Sequence, residues 1–71
     1  MATDVVAHMT GTVWEVRVNV GDVVAEEQVL VVLESMKMEM PVEAPEPGRV
    51  SSIRVKPGQA VEEGEVLLSL E

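Results

Sequence analysis

Slid against itself by 37 positions (48 − 11), the stretch from Gly11 to Glu34 matches Gly48 to Glu71 without a gap. Gly11 falls on Gly48, Val13 on Val50, Val16 on Ile53, Val18 on Val55, Gly21 on Gly58, Val24 on Val61, Leu30 on Leu67 and Leu33 on Leu70. Nearly all these positions are glycine or aliphatic, the residue types that shape turns and fill a core. The chain therefore reads as one domain, 1–71, built from two copies of a unit with half-repeats at about 11–34 and 48–71.

The filler available to each copy decides its secondary structure. Val, Leu and Ala are plentiful, there is one Trp, and Phe and Tyr are missing. Small branched aliphatics suit pleated strands better than helices. Gly21-Asp22, Pro57-Gly58 and Pro47-Gly48 are turn pairs, and Glu26-Glu27 and Glu62-Glu63-Gly64 are polar corners. Strands are predicted near Val5–Met9, Thr12–Val18, Val23–Ala25, Gln28–Glu34, Glu39–Ala44, Arg49–Val55, Ala60–Glu62 and Glu65–Leu70. Eight strands in two equivalent halves predict an all-β fold, a flattened barrel or sandwich of two four-stranded antiparallel sheets with quasi-two-fold symmetry. Val13, Val16 and Val18, like Val50, Ile53 and Val55, follow a spacing of three then two, which one sheet face accommodates only with a bulge. Trp14 answers to Ser51, which argues against a core position for it.

Thirteen acids against five bases give a net charge of −8. That charge disfavours binding to phosphate backbones and anionic membrane surfaces and favours a soluble monomer. No apolar run approaches the length of a membrane span and no signal pattern opens the chain, so a cytoplasmic location is expected. With no Cys and one His, thiol chemistry and a metal site are not expected.

Between the half-repeats lies Ser35-Met36-Lys37-Met38-Glu39-Met40-Pro41. By propensity Leu33 to Met40 is helical, with Pro41 as the stop. The repeat overrules propensity, because Val29–Leu33 matches the strand Val66–Leu70 and Pro41–Ala44 is extended in character, so two strands must join around Met36-Lys37. Tight hairpin tips favour Asn, Gly, Asp or Pro. A tip carrying Met-Lys-Met instead reads as a recognition site, since residues that disagree with the local structure mark selection for something other than folding, and Met makes adaptable contacts with a visiting protein. A solvated ammonium is a poor nucleophile at neutral pH. Whatever acylates Lys37 must dock on the tip, take a proton and bring an activated acyl group. Lys37 is thus the substrate of a separate ATP-using ligase before it is a tool.

From about Val6 to Glu71 these features resemble the biotinyl and lipoyl carrier domain family. The resemblance implies a flattened eight-stranded barrel-sandwich hybrid with the modified lysine at a hairpin tip, the position of Lys37. Within the family Met-Lys-Met marks biotinyl domains and Asp-Lys-Ala lipoyl ones, so Glu34-Ser35-Met36-Lys37-Met38-Glu39 resembles a biotinyl site. Ser35 stands where members usually have Ala, a small-for-small change. Glu34 and Glu62 fall where the family has acids implicated in ligase recognition. The gapless repeat leaves no room for the protruding thumb of some acetyl-CoA carboxylase carriers, and the chain resembles small free-standing, thumb-free biotin attachment proteins.

The implied function is a biotin carboxyl carrier without catalytic residues of its own. Lys37 would bear covalent biotin, added by a biotin protein ligase with Met36 and Met38 as the recognition tip. The partners implied are biotin carboxylase and a carboxyltransferase. Two alternatives remain at this stage, a lipoyl carrier and an unmodified β-sandwich interaction module. For the methionines the competing reading is packing, which Met40 fits best.

Overall fold

The computed structural model describes residues 2–71. Eight strands follow in chain order: β1 (Thr3–Val6), β2 (Gly11–Val16), β3 (Val23–Val24), β4 (Val29–Ser35), β5 (Met38–Glu43), β6 (Gly48–Ile53), β7 (Ala60–Val61) and β8 (Val66–Leu70). They form two four-stranded antiparallel sheets, β1-β8-β6-β3 and β5-β4-β2-β7. The expected all-β fold is the one observed, and the helix that local propensity favours around Leu33–Met40 is instead a strand, a turn and a strand.

The register shows how the repeat is used. Val31 pairs with Val42, Val32 with Pro41 and Leu33 with Met40. Adding 37 to each β4 residue and subtracting it from each β5 residue gives Leu68 with Val5, Ser69 with Asp4 and Leu70 with Thr3, the pairs found between β8 and β1. The correspondence therefore begins earlier than Gly11 and includes the opening strand. Each sheet takes two strands from each half, so neither half can complete a sheet alone. Turns clasp the halves together as well. Gly21 N donates to Val50 O at 2.8 Å and Gly58 N to Val13 O at 2.8 Å, the same bond made twice across the pseudo-dyad.

Between the sheets the aliphatics close-pack. Leu30, Leu33, Leu67, Leu68 and Leu70 are fully buried with Val13, Val31, Val50 and Val61. Strand alternation supplies this face, and the predicted bulges correct it where the spacing breaks. Register shifts fall between Val13 and Glu15 in β2 and between Val50 and Ser52 in β6, which keeps Val13, Val18, Val50 and Val55 inside. Trp14, in the first bulge, is half-exposed rather than core.

Three predicted strands shift by two residues or more at an end, the sixth stopping at Ile53 rather than Val55, and the other bounds move by one residue at most. The first strand runs Thr3–Val6 and not Val5–Met9, and its pairing runs out at the corner before β8, where the Ala7 N–H donates to Glu65 O at 2.9 Å and its carbonyl accepts from Gly64 N at 2.8 Å. The second stops at Val16 rather than Val18.

Corresponding corners differ in one instructive residue. Gly64 has φ +90°, and its counterpart Glu27 (64 − 37) is held at φ 71°, a left-handed conformation in which a side chain costs about 1–2 kcal/mol. Glycine would remove that strain but would lose about 0.5–1 kcal/mol to its freer unfolded chain. Glu27→Gly is therefore expected to raise the unfolding free energy by about 0.5 kcal/mol, and Gly64→Glu to lower it by a similar amount, both read from urea midpoints. Equal stabilities for all three proteins would show that the two corners are not strained as described.

Candidate functional site

The β4–β5 hairpin is the longest pairing in the molecule's second sheet, and its register runs to Ser35 opposite Met38. That leaves two residues, Met36 and Lys37, to reverse the chain. A two-residue hairpin loop of the type that matches strand twist needs positive φ at both positions. Met36 has φ 53° and Lys37 has φ 66°. Neither is Gly, Asn or Asp, so both side chains sit in a region that L-residues avoid.

The surroundings deepen the disagreement with folding chemistry. Met36 is 92% exposed and Met38 63%, beside an exposed Lys37. Two apolar side chains are thus held in water beside a charge. One pair below the tip, Glu34 lies directly opposite Glu39. Like charges in that relation destabilise a sheet. Among the described residues the sole salt bridge joins Arg17 to Glu15, so neither acid has a cation and Lys37 Nζ is tied to no carboxylate. A free, projecting amine with flexible apolar neighbours suits acylation by an external enzyme and fits the attachment of a cofactor by an amide.

The pseudo-dyad says why a site can exist here. Carried onto the other half, β5 becomes β1 and β4 becomes β8, so the tip corresponds to the place where the first and last strands of the chain begin and end. The link from β4 to β5 is the one join without a counterpart, and repeat packing imposes no residue on it.

The structure brings most of the expected residues to one end of one sheet. Met36, Lys37 and Met38 form the tip, Glu34 supports it half-buried, and Met40 is half-buried opposite Leu33 as its packing reading requires. Glu62 comes from the far edge. Glu34 pairs with Thr12, Thr12 with Ala60 and Gly11 with Val61, so Glu62, exposed, lies next along β7 toward the tip. At about 4.8 Å per strand it is some two strands, ~10 Å, from β4. Its own corner is an ordinary turn, with Glu62 N donating to Glu65 Oε1 at 3.1 Å and Glu65 N to Glu62 O at 3.0 Å.

One residue beneath the tip was legible only as a repeat glycine. A Cβ on Gly11 would come within 2.7 Å of the Glu34 carbonyl oxygen and 3.6 Å of Ser35 Cβ. Gly11 is needed for close approach rather than for a turn, and it lets β2 lie against the last residues before the tip. Its sequence signal was its identity with Gly48, whose Cβ would meet Glu71 O at 3.0 Å.

Comparison with known proteins agrees with this geometry. A family model described as biotin-requiring enzyme matches residues 1–70, and the chain belongs to this biotin/lipoyl attachment family. The chain is 45% identical over 62 residues to a biotin/lipoyl attachment protein of Bacillus subtilis, covering 87% of this chain and 85% of that one. It is 48% identical over 64 residues to a biotin carboxyl carrier protein of Streptococcus mutans, covering 90% of this chain and 49% of the relative. Among solved structures, a Kluyveromyces lactis urea carboxylase superposes with a TM-score of 0.94 at 32% identity, over 100% of this chain and 6% of that enzyme.

Two substitutions check the local account. Met36→Asn with Lys37→Gly installs the preferred pair for this turn and is expected to raise the unfolding free energy by about 1–2 kcal/mol while deleting the amine. Gly11→Ala must displace the Glu34 carbonyl and is expected to cost about 1–3 kcal/mol. Chemical denaturation reads both, and an unstable Asn-Gly tip or a neutral Gly11→Ala would contradict the geometry.

Proposed function

We propose that the chain is a biotin carboxyl carrier, with Lys37 as the single residue that bears the cofactor and no catalytic group of its own. One observation carries this reading: a two-residue tip that holds Met36 and Lys37 at positive φ in water, against every folding preference, in a chain of the biotin/lipoyl attachment family. The Met-Lys-Met surround and the relative named biotin carboxyl carrier protein support biotin over lipoate.

In attachment, a biotin protein ligase removes a proton from the Lys37 ammonium, and Nζ attacks the activated carbonyl of biotin. An amide bond forms and the activating group leaves. Held on Lys37, biotin would supply a ring able to carry a carboxyl group between biotin carboxylase and a carboxyltransferase. The chain's own part is presentation. The type of turn fixes the direction in which the Lys37 stem leaves the sheet, and the short tip keeps the amine clear of the sheet edges. Met36 and Met38 offer the enzymes flexible apolar contacts on both sides of the stem. Glu34 and Glu62 stand as acids that a basic ligase surface can read. A tether of fixed origin raises the effective concentration at both partner sites without any new contact. A cytoplasmic location, where the ligase would meet the chain, is part of this proposal.

Expression with a biotin protein ligase and biotin is expected to add one biotinyl group to the intact mass, located by fragmentation on Lys37. Lys37→Arg is expected to keep the fold and carry none. A wild-type chain that stays unmodified, or that takes a lipoyl group in its place, would overturn the proposal.

A further inference from the structure

The pseudo-symmetry allows each position on one sheet to be compared with its equivalent on the other, and one outer row differs in kind. Ser69 lies on an outer face, yet it is only 6% exposed. Its Oγ donates to Asp4 Oδ1 at 2.8 Å, and Ser51 Oγ donates to the Ser69 carbonyl at 3.1 Å. Subtracting or adding 37 turns Asp4, Ser69 and Ser51 into Pro41, Val32 and Trp14. Val32 pairs with Pro41 on one side and with Glu15 on the other, and Trp14 sits in the bulge next to Glu15. Val32 is 4% exposed but outside the core cluster, alternating with inward-facing Val31 and Leu33. A hydrogen-bonded polar row on one sheet is thus replaced by an apolar row on the other, with Trp14, the chain's one aromatic residue, 51% exposed.

Folding does not require that difference, because the equivalent row packs as Asp4, Ser69 and Ser51. The apolar version lies on the sheet that carries the tip. Val32 is three residues from Ser35, about 10 Å along the strand. Between patch and tip stand Glu34 and Glu39. Arg17 flanks β2 with its Nε held by Glu15 Oε1 at 2.7 Å, and Lys56 stands in the turn into β7, where Gly58 N donates to Val13 O. The face therefore presents Trp14 and Pro41 around an almost covered Val32, with the acids Glu34 and Glu39 between them and Lys37.

An enzyme that acylates Lys37 through a specific, stable interface holds more of the chain than the tip. Specific interfaces take about 20–30 residues a side, and the tip supplies three. We propose that the ligase extends its contact down the outer face of the β5-β4-β2-β7 sheet and seats Trp14 in an apolar pocket bordered by basic side chains. This rests on the reading of Lys37 as the attachment site. Charge complementarity selects the basic border, and the exposed Trp is the side chain type that anchors interfaces.

The test uses the whole apo chain with a biotin protein ligase, ATP and biotin. Trp14→Ser, which installs the residue the other half uses, is expected to raise KM at least about tenfold with kcat within about twofold. Trp14→Phe is expected to stay within about threefold of wild type, and Ser51→Ala to leave KM unchanged. A urea midpoint for each variant confirms its fold. As a second readout that needs no substitution, a chain labelled with 5-fluorotryptophan gives one fluorine resonance, which is expected to shift or broaden on adding ligase. A Trp14→Ser variant with wild-type KM overturns the proposal. So does a resonance that ignores the ligase, including one that responds to biotin carboxylase or the carboxyltransferase instead. Failure of the attachment reading looks different, since the wild-type chain would then acquire no biotin at all.

Discussion

The mutual burial of β4 and β8 is the interaction on which the rest depends. These equivalent strands contribute Leu30, Val31 and Leu33 from one half and Leu67, Leu68 and Leu70 from the other, all at or below 1% exposure. A chain without Phe or Tyr, whose one Trp lies outside the core, has no aromatic side chain to span a gap, so the two sheets must approach closely and interdigitate aliphatics. Because each sheet draws strands from both halves, that core forms only when the halves fold together. Cooperative closure of this kind frees the one unrepeated join, β4 to β5, from any part in the core. The hairpin can then carry costs that an essential turn could not.

Those costs are what give the tip its meaning. Two side chains at positive φ, two exposed methionines and a pair of facing glutamates are each unfavourable by an amount comparable to a single good contact. The six pairs of the β4–β5 ladder hold them in place. Strain maintained by a rigid support fixes direction, and direction matters for a residue proposed to be modified by another protein. Seen this way, Lys37 is an ordinary amine on a stiff mount. The same logic applies to Gly11, which brings β2 against Glu34 and stiffens the mount from beneath.

Much of this could be read from the residues. The offset of 37 exposed the two-fold architecture, and the three-then-two spacing of Val13, Val16 and Val18 revealed the bulge later found between Val13 and Glu15. The position of the tip followed from asking which segment the repeat left over. What could not be read were effects that depend on tertiary neighbours. The first strand stops at Val6 because its partner β8, 60 residues away (66 − 6), gives way there to the Glu62–Glu65 turn. Gly11 looked like turn chemistry, although its role is proximity to a carbonyl oxygen. Trp14 was legible as non-core from its match with Ser51, yet its place beside Val32 and Pro41 emerges only from the register.

On the proposed function, the folded mount and not the Met-Lys-Met string makes Lys37 an acceptor. Comparing the folded chain with a linear peptide of the same Leu33–Pro41 sequence as substrates of one biotin protein ligase tests this most directly. Pre-organised presentation predicts a kcat/KM for the folded chain at least about a hundredfold above that of the peptide. A peptide modified as efficiently as the folded chain would show that the mount contributes nothing.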